Sequence, residues 1–428
     1  MATIALKYTD LTVSAEAFRL KALNWADAFP LVAYYYDHNL PYPHQGFRHM
    51  LAVSTGAPVT IDQGKPFESL RKELEKNQLL CGYLGYDLKN KIEKLQSKNY
   101  DGLGFPDSFF FHPEIVIYFN SDGLTLEYSS TYPQDILAAI VATPPAEPGN
   151  PQSIAIQQRV SKQAYVQQVE KVKQRILEGD VYELNYCMEF FAENAAVPPL
   201  PLYLALSGTS PTPFSGYLKC NDKYLLCASP ERFLQKTGST IVSQPIKGTI
   251  KRGKTEAEDQ QLRHQLRHDE KELAENMMIV DLVRNDLSRS CATGTVKVEE
   301  MFGIYGFKQV WQMISTITGT IKPGNDLVNV LQGAFPMGSM TGAPKISAMQ
   351  LIEELEATKR GLYSGAFGYI TPEQDCDFNV VIRSIQYNAT RKYLSFMVGS
   401  AITYDSDPER EYEECLLKAQ AMFNVLMR

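Results

Sequence analysis

Strand-like and helix-like stretches occur in blocks along this chain and not in alternation, and no other feature constrains its fold as tightly. Residues 362–371, 377–387 and 392–399 read as three consecutive strands, an antiparallel meander. Thr255 to about Leu287 reads instead as one long helix or two joined ones, with Leu262, Leu266, Leu273, Met277 and Val280 as the apolar stripe. A doubly wound sheet needs a helix between successive strands, so the predicted class is α+β.

Elsewhere the clearest strands are Phe109 to Phe119 and Leu124 to Tyr128, and Phe67 to Glu75 reads as a short helix. Ala142 to Pro151 holds four prolines and a glycine. That stretch divides the chain into an N-terminal region 1–141, a linker 142–158 and a larger unit 159–428. Ser161 is placed to cap a helix carrying Tyr165, Val169, Val172 and Ile176, which Gly179 ends. Residues 180–187 read as a strand, 198–201 as a proline-rich loop, and 214–219 and 224–228 as strands. The last helix starts at the 406–409 capping box, with Pro408 just inside.

A net charge of −7 argues against a nucleic-acid or anionic-membrane surface. No apolar run approaches the ~18 residues that span a bilayer, and the N-terminus carries no signal-peptide pattern. Seven scattered cysteines predict reduced thiols and a cytoplasmic location.

Chemistry concentrates around Lys247. It lies between Pro245 and Gly248 at the end of a strand-like run, Ser239 to Ser243, which restricts its reach. Two helices each carry glutamates three apart, Glu272 with Glu275 and Glu411 with Glu414, beside apolar stripes. If those helices meet, like charges about 5 Å apart repel by roughly 3 kcal/mol at an effective dielectric near 20. A hard divalent cation, Mg²⁺, would remove that conflict. Lys418 shares the face of Glu414, within reach of a substrate carboxylate. Arg383 is placed on a strand face with Val381 and Ile385, where an arginine needs an anion. The glycine-rich loop 335–345 offers free N–H groups at a helix start but lacks Walker A spacing. His264 and His268 lie in a basic, surface-like stretch and read as solvated.

These motifs resemble the chorismate-utilising enzymes, which include anthranilate synthase component I and aminodeoxychorismate synthase component I. The matching stretches are SPE at 229–231, PIKGT at 245–249, KELAENMMIVDLVRNDLSR at 271–289, FPMGSMTGAPK at 335–345, RGLYSGAFGY at 360–369, FNVVIRS at 378–384 and DSDPEREYEE at 405–414. They cover most of 160–428. Phe105 to Phe110 is the best match in the shorter N-terminal region. The resemblance implies two largely antiparallel sheets packed as a sandwich, with helices outside.

Anthranilate synthases typically carry alanine at the Lys247 position, whereas PIKGT is similar to the aminodeoxychorismate branch. That branch implies Lys247 as a nucleophile toward C2 of chorismate, expelling the C4 hydroxyl before ammonia adds at C4. A neutral amine is then required, so the Lys247 pKa is expected to be lowered. Glu231 resembles the family's general acid/base. Glu275 and Glu414 resemble its Mg²⁺ ligands, with Glu272 and Glu411 beside them. Tyr363, Arg383, Gly399 and Lys418 match the group facing substrate carboxylates, and Thr249, Gln312 and Ser339 complete the implied substrate site. Water-adding members carry a lysine on an early strand; this chain reads Tyr182, Glu183, Leu184, Asn185 there, which favours ammonia as nucleophile.

Three departures stand out. Gln312 replaces the family's usual histidine and cannot deliver a proton at neutral pH. Gly399, Ser400 and Ala401 replace a Gly-Ala-Gly loop and are expected to tighten it. The tryptophan-binding signature is missing from Leu31 to Tyr36, so feedback by tryptophan is not expected. No glutaminase or lyase module is visible. Ammonia is therefore expected from solution or from a separate glutamine amidotransferase subunit, with aminodeoxychorismate released toward para-aminobenzoate and folate. The alternatives are anthranilate synthase component I and a non-catalytic chorismate-fold binding protein.

Overall fold

The structure, a computed structural model, describes residues 1–129, 132–149 and 154–427. Among them two antiparallel sheets are surrounded by helices, an α+β architecture. The first sheet has 12 strands, in the order Ala2–Lys7, Gly123–Tyr128, Ile115–Phe119, Met50–Ser54, Leu31–Tyr36, Phe214–Cys220, Lys223–Ser229, Ser384–Asn388, Tyr393–Ile402, Glu183–Ala192 and Gly342–Ala343, with Gln157–Gln158 pairing alongside Glu183–Ala192. The second has nine: Ile246–Lys251, Val310–Thr320, Thr240–Gln244, Arg232–Thr237, Cys376–Val380, Ala366–Ile370, Leu80–Leu84 and Ser108–Phe111, with Lys297–Gly306 also on Val310–Thr320.

Most central strands are buried on both faces, and the three apolar cores explain why. Leu31, Ala33 and Tyr35 point between the sheets, against Tyr83, Phe109, Phe111 and Phe367. Val32 and Tyr34, one residue out of phase, turn to the helices Ala15–Ala26 and Pro199–Thr209. The far face of the second sheet packs on Ile279, Val280 and Val283 of the helix Glu270–Ser288. Strands covered twice lose the polar–apolar alternation that marks a half-exposed strand.

Residues 1–141 feed both sheets. Leu31–Tyr36 pairs with Phe214–Cys220, and Leu80–Leu84 with Ala366–Ile370, so strands from before and after the proline-rich stretch lie side by side. Within that stretch Ala146 is buried, and its N–H donates to Leu20 O. Residues 150–153 of the linker lie outside the described residues.

Several local expectations are corrected. Phe109 to Phe119 is two strands, Ser108–Phe111 in the second sheet and Ile115–Phe119 in the first. The 377–387 segment likewise splits into Cys376–Val380 and Ser384–Asn388, in different sheets. Arg383 therefore shares no strand face with Val381 and Ile385; it lies in the break with φ +51°. The proline-rich loop at 198–201 is the start of the helix Pro199–Thr209, since proline's missing N–H costs nothing in a first turn. Met277 is exposed, outside the stripe formed by its neighbours. Gly399, Ser400 and Ala401 are not a loop but part of the strand Tyr393–Ile402. All seven cysteines are free and buried, and no helix among the described residues is long and apolar enough to cross a membrane.

Candidate active site

Two neighbouring crossings between the sheets position the first site residues. The chain leaves the first sheet at Ser229 and joins the second at Arg232, with Pro230 and Glu231 as the passage. Beside it the chain returns from Val380 to Ser384 through Arg383. The Ala228 N–H donates to Arg383 O at 3.1 Å, and the Val380 N–H to Glu231 O at 3.0 Å, which locks the crossings together. Burial pushes the Glu231 carboxyl up to about 7, opposed by the nearby Ser339 hydroxyl, by Lys247, by the Ile246 N–H and by Lys418.

Lys247 enters from the strand Ile246–Lys251. Gly248 has φ +98°, a backbone conformation that favours glycine, and a Cβ there would crowd Met313 Cβ at 3.2 Å and Glu272 Oε2 at 3.3 Å. Asn276 of that helix donates to Lys247 O at 3.2 Å and accepts from Ser315 Oγ at 2.6 Å. The lysine's Nζ donates to Glu183 Oε1 at 2.9 Å. Burial pulls the Lys247 pKa down, but Glu183, Glu275 and Glu414 together raise it above the ordinary lysine value. This reverses the expected lowering: the resting lysine is held as the cation.

The two glutamate pairs do meet across their helices. Lys271 Nζ lies 3.6 Å from Glu275 Oε1 and 3.6 Å from Glu411 Oε1. Burial, then Glu275 and Glu414, raise Glu272 to about 7. Glu275 is also raised, by burial first, and its buried Oε1 has no hydrogen-bond partner. Glu414 is lowered, first by Lys418, whose Nζ is 2.6 Å away and also donates to Gly399 O at 2.9 Å. Glu411 is set apart: it is buried and accepts from the Ser400 hydroxyl. Among the described residues no three His, Cys, Asp or Glu side chains converge as a ready-made metal cage. The unpartnered Glu275 oxygen and the raised Glu272 nevertheless fit a site short of positive charge.

The opposite wall is polar and unpaired. Gln312 is 4% exposed and its Oε1 has no partner. It shares a cavity of about 40 Å³ with Arg383, Thr212 and Gln309. The Arg383 pKa is lowered by burial, and Tyr363 and Glu414 oppose the shift. Tyr363 is buried, and Gly399 lies so close to Cys187 and Asn185 that a Cβ would stand 2.4 Å from Cys187 Sγ. Ser339 is buried, with its hydroxyl near Glu231. Thr249 is the outlier: it is solvent-exposed, opposite Gln312 in the ladder. His264 and His268 are exposed and stack on each other on the helix Glu256–His268.

Sequence reasoning missed the residues that bind the parts together. Glu183 was notable only for not being lysine, yet it is the ion-pair partner of Lys247. Asn276 and Arg360 lie inside the quoted motifs, where nothing in their spacing marks them as anchors. Glu183 carried the one available signal, a carboxylate heading a wholly buried strand.

The chain is similar in sequence and in fold to several known proteins. It is 36% identical over 358 residues to anthranilate synthase component 1 of Thermus thermophilus, covering 81% of this chain and 77% of that protein. It is 35% identical over 360 residues to aminodeoxychorismate synthase component 1 of Bacillus subtilis, covering 81% and 76%. Among solved structures, anthranilate synthase component I of Streptococcus pneumoniae superposes with a TM-score of 0.75 at 25% identity, over 92% of this chain and 90% of that one. The menaquinone-specific isochorismate synthase of Escherichia coli shares the fold, with a TM-score of 0.77 at 19% identity over 99% and 94%. The family described as chorismate binding enzyme matches residues 33–424, on both sides of the proline-rich stretch and through every part of the site, and the chain belongs to that family.

Proposed function

We propose that this chorismate-utilising enzyme is an aminodeoxychorismate synthase component I, which converts chorismate and ammonia to 4-amino-4-deoxychorismate for para-aminobenzoate and folate synthesis. The observation that carries this reading is Lys247 itself, buried against Glu183 and close enough to Glu231 to lower its pKa. Identity does not separate the two branches, since 36% to one and 35% to the other are equivalent. The lysine is the feature on which this proposal distinguishes them.

In this reading the Lys247 amine attacks C2 of chorismate, the ring double bond shifts, and the C4 hydroxyl leaves as water with a proton from Glu231. A carboxyl with a pKa of about 7 carries that proton in much of the population at neutral pH. Gln312 hydrogen-bonds the departing hydroxyl, and Arg383, Tyr363 and Lys418 take the substrate's carboxylates. Ammonia then bonds to C4, the ring double bonds shift back as the C2–N bond breaks, and a proton passes from the ammonia nitrogen to Lys247, which is regenerated. A divalent cation held by Glu275 and Glu414, with Glu272 and Glu411 nearby, would supply the missing positive charge and a hard seat for a carboxylate. Neutralising those glutamates would remove two of the three carboxylates that hold Lys247 charged, leaving Glu183 alone to oppose the desolvation that favours the free amine. Ammonia comes from solution or from a separate glutamine amidotransferase subunit.

Incubation with chorismate, Mg²⁺ and ammonium, with products identified by mass spectrometry, is expected to yield aminodeoxychorismate. Omitting ammonium leaves a chorismate-derived mass on the peptide containing Lys247. Lys247→Ala is expected to lose both, and anthranilate from the wild type would support the other branch. Glu275→Gln and Glu414→Gln are each expected to abolish turnover at ordinary Mg²⁺. Near-normal activity and Mg²⁺ dependence in both would rule out the cation site.

A further inference from the structure

Lysines on three elements face the glutamate pairs, and they are held in different ways. Lys247, on the strand Ile246–Lys251, donates to Glu183 Oε1 at 2.9 Å. Lys418, on the helix Pro408–Leu426, lies 2.6 Å from Glu414 Oε1 and donates to Gly399 O at 2.9 Å. Lys271 is different. Its Nζ stands 3.6 Å from Glu275 Oε1 on its own helix and 3.6 Å from Glu411 Oε1 on the other, in a side chain 51% exposed. Both separations are ion pairs too long for hydrogen bonds. Glu275 Oε1 is the buried oxygen that no hydrogen bond reaches. The charge of Lys271 also bears on Glu414 and Glu272. Its ammonium is therefore central to both pairs, yet Coulomb attraction alone keeps it there. A flexible stem half in water can withdraw without breaking a hydrogen bond.

We infer that Lys271 is the resident counter-ion of the two glutamate pairs, a tethered cation that a divalent ion has to displace from Glu275 Oε1. The inference rests on the cation site in the reading above. Mg²⁺ sits about 2.1 Å from its oxygen ligands. An ammonium left beside the same oxygen would face a doubly charged neighbour at close range, so the two cannot share it. The exchange runs in favour of the ion with more charge. A divalent ion puts two units of charge where the lysine put one. A monovalent ion puts one for one, and it competes with an ammonium whose tether keeps its local concentration high. Lys271 thus screens the pairs against monovalent cations. Ammonium, the proposed nitrogen source, is among them, so the co-substrate does not fill the carboxylates.

The test compares Lys271→Gln, which removes the charge and keeps a good helix former, with Lys271→Arg, which keeps the charge. In titration calorimetry with magnesium chloride, Lys271→Gln is expected to bind Mg²⁺ about tenfold more tightly than wild type, and Lys271→Arg within about threefold of it. A lysine that only supported the helix would give the opposite sign, because loosening the helix weakens the site. Thermal unfolding without divalent ions gives a second reading. Ammonium chloride is expected to raise the Tm of Lys271→Gln above that in tetramethylammonium chloride at equal ionic strength, whereas wild type responds alike to the two salts. Mg²⁺ binding equal to or weaker than wild type in folded Lys271→Gln would overturn the inference. If that variant does not fold, a crystal structure of the wild type with Mg²⁺ decides. Lys271 Nζ withdrawn from Glu275 Oε1 supports the inference, and Nζ still within about 4 Å of that oxygen beside bound Mg²⁺ overturns it. Failure of the cation site looks different: neither wild type nor Lys271→Gln then takes up Mg²⁺, and both proposals fall.

Discussion

Two ion pairs, one wholly and one largely buried, engage the strand Glu183–Ala192, and they are built to opposite specifications. In the pair Arg360–Glu356 all five guanidinium donors find acceptors, Ser364 Oγ at 3.4 Å among them, and both carboxylate oxygens are engaged. Arg360 Nε and a terminal nitrogen donate to the two Glu356 oxygens at 2.9 and 2.5 Å, and the guanidinium also reaches Met340 O at 2.6 Å and Asn185 O at 2.8 Å. Glu356 further accepts from the Cys187 N–H at 2.9 Å. In the pair Lys247–Glu183 the lysine has one hydrogen bond for three donors, and the carboxylate has an idle oxygen. A closed network ties the 335–345 loop and the helix Lys345–Leu355 to the sheet. An open one is a site waiting for ligands. Burial of charge alone does not tell architecture from chemistry; the count of unused hydrogen bonds does.

Breaking the closed pair is expected to have the largest effect on stability. Arg360→Met leaves Glu356 buried without its partner and frees two backbone carbonyls, a loss of about 3–5 kcal/mol in chemical denaturation. Lys247→Met likewise leaves Glu183 buried without its cation, but it breaks one hydrogen bond where Arg360→Met breaks at least four, so its loss should be smaller although activity disappears. Equal losses for the two variants would show that the contrast between the pairs has no energetic content.

A second test turns on pH. Burial raises Glu231 from 4.5 to about 7. Below about pH 4.5 the group is protonated in both folded and unfolded chains and costs nothing. Between about 4.5 and 7 the unfolded chain releases its proton first, so stability falls as pH rises through that window and stays lower above it. The full shift corresponds to about 3 kcal/mol. Glu231→Gln removes the titration and should gain about 1–3 kcal/mol at pH 8, with little change at pH 4.5, while losing turnover. Parallel pH–stability profiles for the variant and the wild type would contradict this.

Much of the scaffold was legible because its signals are local. Ser161 caps the helix Lys162–Leu177 by accepting from the Ala164 N–H, and the Thr255–Leu287 stretch is the two helices Glu256–His268 and Glu270–Ser288. Clustered strands gave the α+β class. What stayed hidden depends on contacts between distant segments. Phe109 to Phe119 and 377–387 each read as one strand, although His112, Pro113 and Glu114 interrupt the first and Arg383 and Ser384 the second. Those local breaks mark the crossings, and only the pairing of distant strands shows that the chain changes sheet there. Glu231 and Arg383 lie at such crossings, so their juxtaposition could not be read from either segment. The Lys247–Glu183 contact joins residues 64 apart, and no periodicity encodes it. Lys247 itself was visible, since proline and glycine around a lysine are a local feature; its electrostatic state was not, because the carboxylates that hold it protonated come from three other elements.

The smallest expected effect is at the unpaired wall, where Gln312 takes a place at which the resemblance implies histidine. Its Oε1 is buried without a partner, and the adjoining cavity gives a ring room beside Arg383. Gln312→His should therefore fold with a stability change within about 1 kcal/mol, because it exchanges one unsatisfied polar group for another of similar reach. Turnover is expected to hold or rise by a few-fold, since an imidazole can give the leaving hydroxyl a proton that an amide cannot. The gain should be confined to pH values at which the imidazole is charged, and beside the Arg383 cation that range lies below the ordinary histidine pKa. A pH–rate profile of kcat for wild type and variant separates the outcomes. If Gln312→His is folded but inactive at every pH, Gln312 positions the substrate through its amide geometry. Proton delivery by Glu231 would then be sufficient without help from this wall.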